Sequence, residues 1–302
     1  MRIASLLPAA TDIVCALGLA ERLVAISHEC DDPSPGRTLP RVTASLIPDA
    51  SSGEIDRAVR ERVGARQPLY ALDAAALTAA APDLIVTQAL CDVCAVAEAD
   101  VRAAACALPS APRVLNLEPR TLGDLYVCIR QVAAAAAVAP AGEALVRSLQ
   151  ARVDAVARRA AGRPRRRMVF LEWLDPPFSC GHWNPELVAL AGGEDPFGRT
   201  GEPARAIAWS DVVAWQPEVV FVACCGHDPE RALADLGAAA KGPGWDEVPA
   251  VRAGQVFVDD GARSFSRPGP GLIDSLERLA DALDPAARPI RTNGLREARR
   301  SA

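Results

Sequence analysis

One stretch, Pro140 to Gly162, constrains the whole chain. Leu145, Leu149, Val153 and Val156 recur at helical spacing on one face, while Arg147, Arg152, Arg158 and Arg159 fall elsewhere, the pattern of one long amphipathic helix. Pro140 suits a first turn, and Gly162 followed by Pro164 suits a stop. On either side of it the same pattern recurs: a short apolar strand, a polar loop, then a helical segment. Strands alternating with helices make parallel sheets covered on both faces. The expectation is two α/β lobes, residues 1–139 and 163–285, joined by a rigid rod over 140–162, with a disordered basic tail over 286–302.

In the first lobe, strands are expected at Ile3–Leu7, Arg22–Ser27, Leu84–Gln88 and Arg113–Leu117. Helices follow from Pro8, over Asp73–Ala80, over Val96–Ala107 and from Thr121, a suitable N-cap, to Val138. Ser34 to Gln67 reads as a long polar excursion with one helical piece near Glu54–Arg62. In the second lobe, strands are expected at Arg167–Trp173, Val219–Cys224 and Gln255–Val258, and helices at Pro185–Ala191, Trp209–Trp215 and Leu272–Leu283.

A length of 302 residues, half of them apolar, suits two domains with their own cores. The net charge of -5 argues against a nucleic-acid partner, because phosphate binding wants a basic face. No apolar run approaches the ~18 residues of a membrane span, so membrane insertion is not expected. Ala4 to Ala20 resembles a weak signal peptide, but Pro8, Thr11 and Asp12 interrupt it and it serves better as the first strand and helix. As written the chain reads as cytoplasmic, or as periplasmic if its true start lies upstream.

The residues that follow the strands carry the chemistry. In open α/β sheets, ligands bind outside the carboxyl ends of the strands. The chain's three histidines, His28, His182 and His227, all lie in such loops, as do Trp173, Trp183 and six of the nine cysteines. Cys15, Cys106 and Cys128 lie in Ala-rich helical segments and read as small core hydrophobes. Cys91 and Cys94 form a C-x-x-C that is compatible with redox chemistry, a metal clamp or neither. Cys30, Cys91 and Cys94, with His28 or His227, make a possible tetrahedral zinc or iron-sulfur set. There is no Walker loop, no G-x-G-x-x-G after the first strand and no G-x-S-x-G elbow, so nucleotide and hydrolase chemistry lack their usual apparatus. Glu29 with His182 could do acid/base work, but nothing singles the pair out.

The opening Arg2-Ile3-Ala4-Ser5-Leu6-Leu7-Pro8-Ala9-Ala10-Thr11-Asp12, continued by Ala16-Leu17-Gly18-Leu19, resembles the vitamin B12 and iron-siderophore substrate-binding proteins of ABC importers. Ala81-Pro82-Asp83-Leu84-Ile85, Gln216-Pro217-Glu218-Val219-Val220 and Trp245 to Val256 extend the resemblance to about Leu283. Within that family the chain looks closest to the cytoplasmic-looking cobalamin-binding branch, through His28-Glu29-Cys30-Asp31, Leu90-Cys91 with Cys94-Ala95, and Gly181-His182-Trp183 with Pro185-Glu186. The resemblance implies a class III periplasmic-binding-protein-like fold, α/β with two Rossmann-like lobes joined by a single backbone helix.

It also implies a corrinoid (cobalamin) or related metal chelate in an inter-lobe cleft, with an ABC permease as a further partner. On this reading Trp173, Trp183 and Phe265 wall the ligand, while His28, Glu29, His182 and Arg267 read its polar edge or an axial position. The alternative is a metalloprotein, with or without enzymatic activity, holding zinc or an iron-sulfur centre on Cys30, Cys91 and Cys94 with His182 or His227 facing the open side. A thiol redox protein using Cys91 and Cys94 is a weaker third reading.

Overall fold

The computed structural model describes residues 1–33, 38–88, 98–239 and 244–284. They fall into two compact units, Met1–Leu149 and the residues from Gln150 onward. The basic tail expected over 286–302 lies outside the described residues.

Unit 1 runs β1 (Ile3–Ser5), α1 (Pro8–Ala16), β2 (Leu23–Ile26), β3 (Thr43–Ser45), α2 (Ser52–Gly64), β4 (Tyr70–Leu72), α3 (Ala74–Ala80), β5 (Leu84–Gln88), α4 (Glu98–Ala107), β6 (Arg113–Leu117) and α5 (Leu122–Ala135) into α6 (Ala139–Ala160). Its main sheet has the order β2-β1-β5-β6 and is parallel throughout. β1 and β5 are buried along their whole length, as strands covered on both faces must be, and Ala4, Ile85, Ala25 and Val42 pack with Leu77 and Val101 of the covering helices. Thr121 caps α5 as expected, in a reciprocal box with Asp124. The polar excursion holds more order than expected. β3 and β4 pair as an antiparallel ribbon around α2, with Thr43 opposite Leu72. Two three-residue strands separated by a helix leave no local periodicity to read.

The boundary between the units falls inside α6. Val146, Leu149, Val153 and Val156 are buried, so the apolar face is centred beside Leu145, which is only partly covered. In unit 1, Gly142 lets α6 approach α5 closely: a Cβ there would lie 2.5 Å from the Cβ of Ala133. Gly142→Ala would raise helix propensity in isolation, but an alanine methyl has no rotamer to swing away. We expect a net loss of about 1–3 kcal/mol, read as a lower urea midpoint. A gain in stability would show that the two helices are free to separate.

Unit 2 continues from the end of α6 through β7 (Arg166–Leu174), β8 (Pro177–Ser179), α7 (Asn184–Leu190), β9 (Gly193–Glu194), α8 (Trp209–Trp215), β10 (Val219–Val222), α9 (Pro229–Ala239), α10 (Pro249–Arg252), β11 (Val256–Val258) and α11 (Leu272–Leu283). The order is β11-β10-β7-β8, with β9 also on β7. β10 pairs in parallel with β7 and β11, while β8 turns back antiparallel to β7. Parallel expectations therefore hold for the core of the sheet and fail at the β7–β8 hairpin. Neither α9 nor α10 was expected from the pattern; Gly237 breaks the helical period of α9 near its end. The last turns of α6 are tied to α11 by ion pairs of Arg152 with Glu277 and Asp274 and of Arg159 with Asp281, and Arg163, just past α6, extends the ladder to Asp284, just past α11.

Candidate functional site

In unit 1 the carboxyl ends of β1 and β2 meet in a buried polar chain. Thr11 Oγ1 donates to Ser5 Oγ at 2.8 Å and lies 3.1 Å from Cys30 Sγ, which is 3.2 Å from Ser27 Oγ. Burial pushes the Cys30 thiol up, against the hydrogen bonds from Ser27 and Thr11. Cys30, expected as a metal ligand, is thus a core thiol that knots the β2 loop to α1, and it turns inward because those hydroxyls satisfy it there. Its expected co-ligands Cys91 and Cys94 lie outside the described residues.

His28 takes the outward position. Its backbone N–H donates to Thr43 Oγ1 at 3.0 Å, its Nδ1 lies 2.7 Å from the same oxygen, and its ring leans on Tyr70 at 5.6 Å. Nε2 is 3.9 Å from Glu29 Oε1. Burial lowers the pKa of His28, with Arg41 adding to the effect and Glu29 opposing it, so the ring is neutral at pH 7. When Nδ1 carries the proton into the Thr43 bond, Nε2 presents a lone pair, the state in which imidazole ligates a metal.

Arg41, which sequence reasoning passed over, holds the loop in place. Its Nη1 donates to the carbonyls of Ser27, His28 and Cys30 at 3.1, 3.2 and 2.6 Å, and its Nη2 reaches Asp32 at 3.3 Å.

In unit 2 the expected ligand wall divides. Trp173 remains partly exposed at the end of β7, with its ring 4.7 Å from that of His227 and its Nε1 bonded to the Asp175 carbonyl. Phe265 and Trp183 do not line an open wall. Phe265 is fully buried, edge-on to Phe170 and Phe221 at 5.1 Å each, and Trp183 is buried with its Nε1 donating to the Phe265 carbonyl at 2.8 Å. The physical reason is the β7–β8 hairpin, which places Ser179 opposite Leu171 and carries His182 and Trp183 back along the sheet. His182 stacks on Trp183 at 5.5 Å and holds a left-handed backbone. Arg267 is partly buried, and its Nε donates to the Ala262 carbonyl.

His227, expected as a metal ligand, is buried, with Nδ1 3.3 Å from Asp235 Oδ2. Among the described residues no group of three His, Cys, Asp or Glu is placed to hold a metal ion. The buried thiols do not offer thiolates either: burial pushes Cys128 and Cys224 up to about 12 and Cys180 well above its ordinary value.

Two carboxyls that the sequence pattern did not single out occupy this region. Glu172 accepts at Oε1 from the Gly181 N–H at 2.9 Å and from Asn184 Nδ2 at 2.7 Å. Burial pushes it up to about 7, and those two donors offset only part of the rise. Asp195 accepts from the Phe170 and Phe197 N–H groups at 2.7 and 2.8 Å and is pushed up to about 6, again by burial first. The available signal was the lone acid in Met168-Val169-Phe170-Leu171-Glu172-Trp173-Leu174, a charge inside an otherwise apolar strand.

A family model for periplasmic binding protein matches residues 3–262. A vitamin B12-binding protein of Vibrio cholerae is 25% identical over 290 residues, covering 93% of this chain and 88% of that protein. Among solved structures, the periplasmic vitamin B12-binding protein of Vibrio cholerae superposes with a TM-score of 0.66 at 21% identity, covering 93% of this chain and 96% of that one. A periplasmic heme-binding protein from Pseudomonas aeruginosa superposes with a TM-score of 0.72 at 19% identity, covering 97% and 95%. With the match running from β1 to the residues beyond β11, the chain belongs to the periplasmic binding protein family.

Proposed function

We propose that this chain is the substrate-binding component of an ABC-type importer, that it takes a metal chelate of the B12, heme or iron-chelate class, and that its own ligand is a corrinoid. The observation that carries the corrinoid reading is the similarity to a vitamin B12-binding protein along nearly the whole of both chains. The strand-end chemistry supports it. Taken unit by unit, Trp173 in unit 2 offers a flat apolar surface, and His28 in unit 1, held neutral and gripped by Thr43, offers an imidazole of the kind that ligates a metal. A permease is the expected partner. The relatives named above with a location are periplasmic, and no described helix is long and apolar enough to cross a membrane. Cys30 and His227 are engaged inside their own units, which does not favour a zinc or iron-sulfur centre on them.

Titration of the purified protein with hydroxocobalamin tests this, followed by corrin absorbance and tryptophan fluorescence. Saturable binding with Kd of about 1 μM or tighter is expected, with a shift of the corrin bands that His28→Ala abolishes. Saturable binding of hemin without hydroxocobalamin would replace the corrinoid by a heme. Binding of neither would remove the reading.

A further inference from the structure

Glu172 is poorly explained by the fold alone. It is the single acid in β7 between Met168 and Leu174, and the four residues before it are fully buried. A carboxylate in such a place is costly unless its charge is matched. The structural duty it performs needs only one oxygen. Gly181 N–H and Asn184 Nδ2 both donate to Oε1, and one amide carbonyl could accept both. A glutamine would stitch β7 to the start of α7 without the desolvation. What the carboxylate adds is its second oxygen and its charge. Oε2 has no hydrogen-bond partner among the described residues, and Glu172 remains partly exposed.

Asn184 reinforces the imbalance. Its Nδ2 spends its hydrogens on Glu172 and on the Phe265 carbonyl at 3.3 Å, while its Oδ1 is buried with no partner. One buried acceptor of this hydrogen-bonded unit, Asn184 Oδ1, therefore lacks a donor, and the outer oxygen of the other, Glu172 Oε2, is left open to an incoming one. The complement of such a patch is a neutral hydrogen-bond donor. Its place, one residue before Trp173 near the carboxyl end of an interior strand, is where ligands meet sheets of this kind.

We propose that Glu172 contacts the bound chelate, accepting at Oε2 an N–H from a peripheral carboxamide, and so selects amide-bearing chelates over carboxylate-bearing ones. The inference rests on the binding reading above. A peripheral carboxylate would bring like charge to a partly desolvated acid and would have no donor to offer it. A carboxamide brings the missing hydrogen at no cost in charge.

Dicyanocobinamide and dicyanocobyrinic acid test this, because they share a corrin with both axial positions filled and differ chiefly in carrying amides or carboxylates at the rim. The wild type is expected to bind the amide form at least about tenfold tighter at pH 8, the worth of one unpaired charged hydrogen bond. In Glu172→Gln the ratio should fall about tenfold, chiefly through better binding of the carboxylate form. An unchanged ratio in a folded variant that still binds dicyanocobinamide overturns the assignment while leaving the binding reading intact. Failure of the wild type to bind any corrinoid removes both.

Should Glu172→Gln fail to fold, the wild type decides. Among the described residues, the charge of Glu172 is felt by the Cys180 and Cys224 thiols, which burial keeps protonated at neutrality. A donor to Oε2 favours the ionised form, so dicyanocobinamide binding should release a fraction of a proton at some pH between about 5 and 8, measured by calorimetry in buffers of different ionisation enthalpy across that range. Release of none at any pH in the range overturns the proposal.

Discussion

Gly261→Ala is expected to cost more than about 3 kcal/mol, a large share of the stability of an ordinary domain. Gly261 opens a short π-type turn, Gly261 to Phe265, that crosses the end of β10. A Cβ at Gly261 would fall on the carbonyl of Cys224, well inside van der Waals contact. The obstacle is backbone, so no side chain can rotate to relieve it. Moving the turn outward would break what the turn supports. The Ala262 N–H donates to the His227 carbonyl at 3.1 Å, the Phe265 carbonyl accepts from Trp183 and Asn184, and the Phe265 ring completes a trio with Phe170 and Phe221.

Gly226 provides the control. It has φ of +74° with nothing near its missing Cβ, so Gly226→Ala should cost only about 1 kcal/mol of backbone strain. Urea midpoints of the two variants measure the difference. Equal losses would mean that the turn yields easily and does not clamp the core.

Stability is expected to fall, not rise, as pH climbs from about 4 to about 7. Glu172 and Asp195 titrate near 7 and near 6 in the folded protein, above their values in an open chain, because burial outweighs the hydrogen bonds they accept. The folded state therefore holds their protons more tightly than the unfolded state does. Their stabilisation is fully present below the unfolded pKa values and disappears as pH passes the folded ones. Each tenfold difference in proton affinity between the two states is worth about 1.4 kcal/mol, so the loss is on the order of 3 kcal/mol for each carboxyl. His28 works in the opposite direction, since its lowered pKa makes stability rise as pH climbs from its folded to its unfolded value, above which the gain is complete. The surface carboxylate Glu277, lowered by Arg152, also opposes the trend, but it is solvent-screened. Urea midpoints at pH 4.5, 6.0 and 7.5 should decline in that order, and Glu172→Gln should flatten the decline. A midpoint that rises with pH would show that the two carboxylates are better solvated than their surroundings indicate.

The elements that were legible from sequence are those whose own residues carry the pattern. Leu84–Gln88, Arg113–Leu117, Trp209–Trp215 and Leu272–Leu283 have the expected bounds, because each is a short apolar run or amphipathic period between clear stops. The β7–β8 hairpin was not legible. Asp175-Pro176-Pro177 reads as the start of a loop, and only pairing with Leu171 and Leu174 makes Pro177–Ser179 a strand. That one omission also hid the candidate site. Glu172 stands in plain view as an acid among apolar residues, but its partners Gly181 and Asn184 reach it only because the hairpin folds back. Residue type was readable in the strand-end loops, whereas direction was not. Cys30 and His227 have the chemistry of metal ligands, yet hydroxyls and a carboxylate inside their own units engage them. His28 keeps an outward ring because Thr43, from the unanticipated ribbon, grips its inner nitrogen.

The distribution of thiols makes the protein its own reporter. Cys30, Cys128, Cys180 and Cys224 are shielded and held protonated, so they offer no thiolate to attack a maleimide and stay unlabelled. Cys106 in unit 1 and Cys225 in unit 2 are exposed. With Cys15, Cys91 and Cys94 replaced by serine, a donor and an acceptor dye could be attached at one place on each unit without introducing a new cysteine. Energy transfer between them would follow the distance from one unit to the other as chelate is added, turning an accident of cysteine placement into a ruler for the binding cycle.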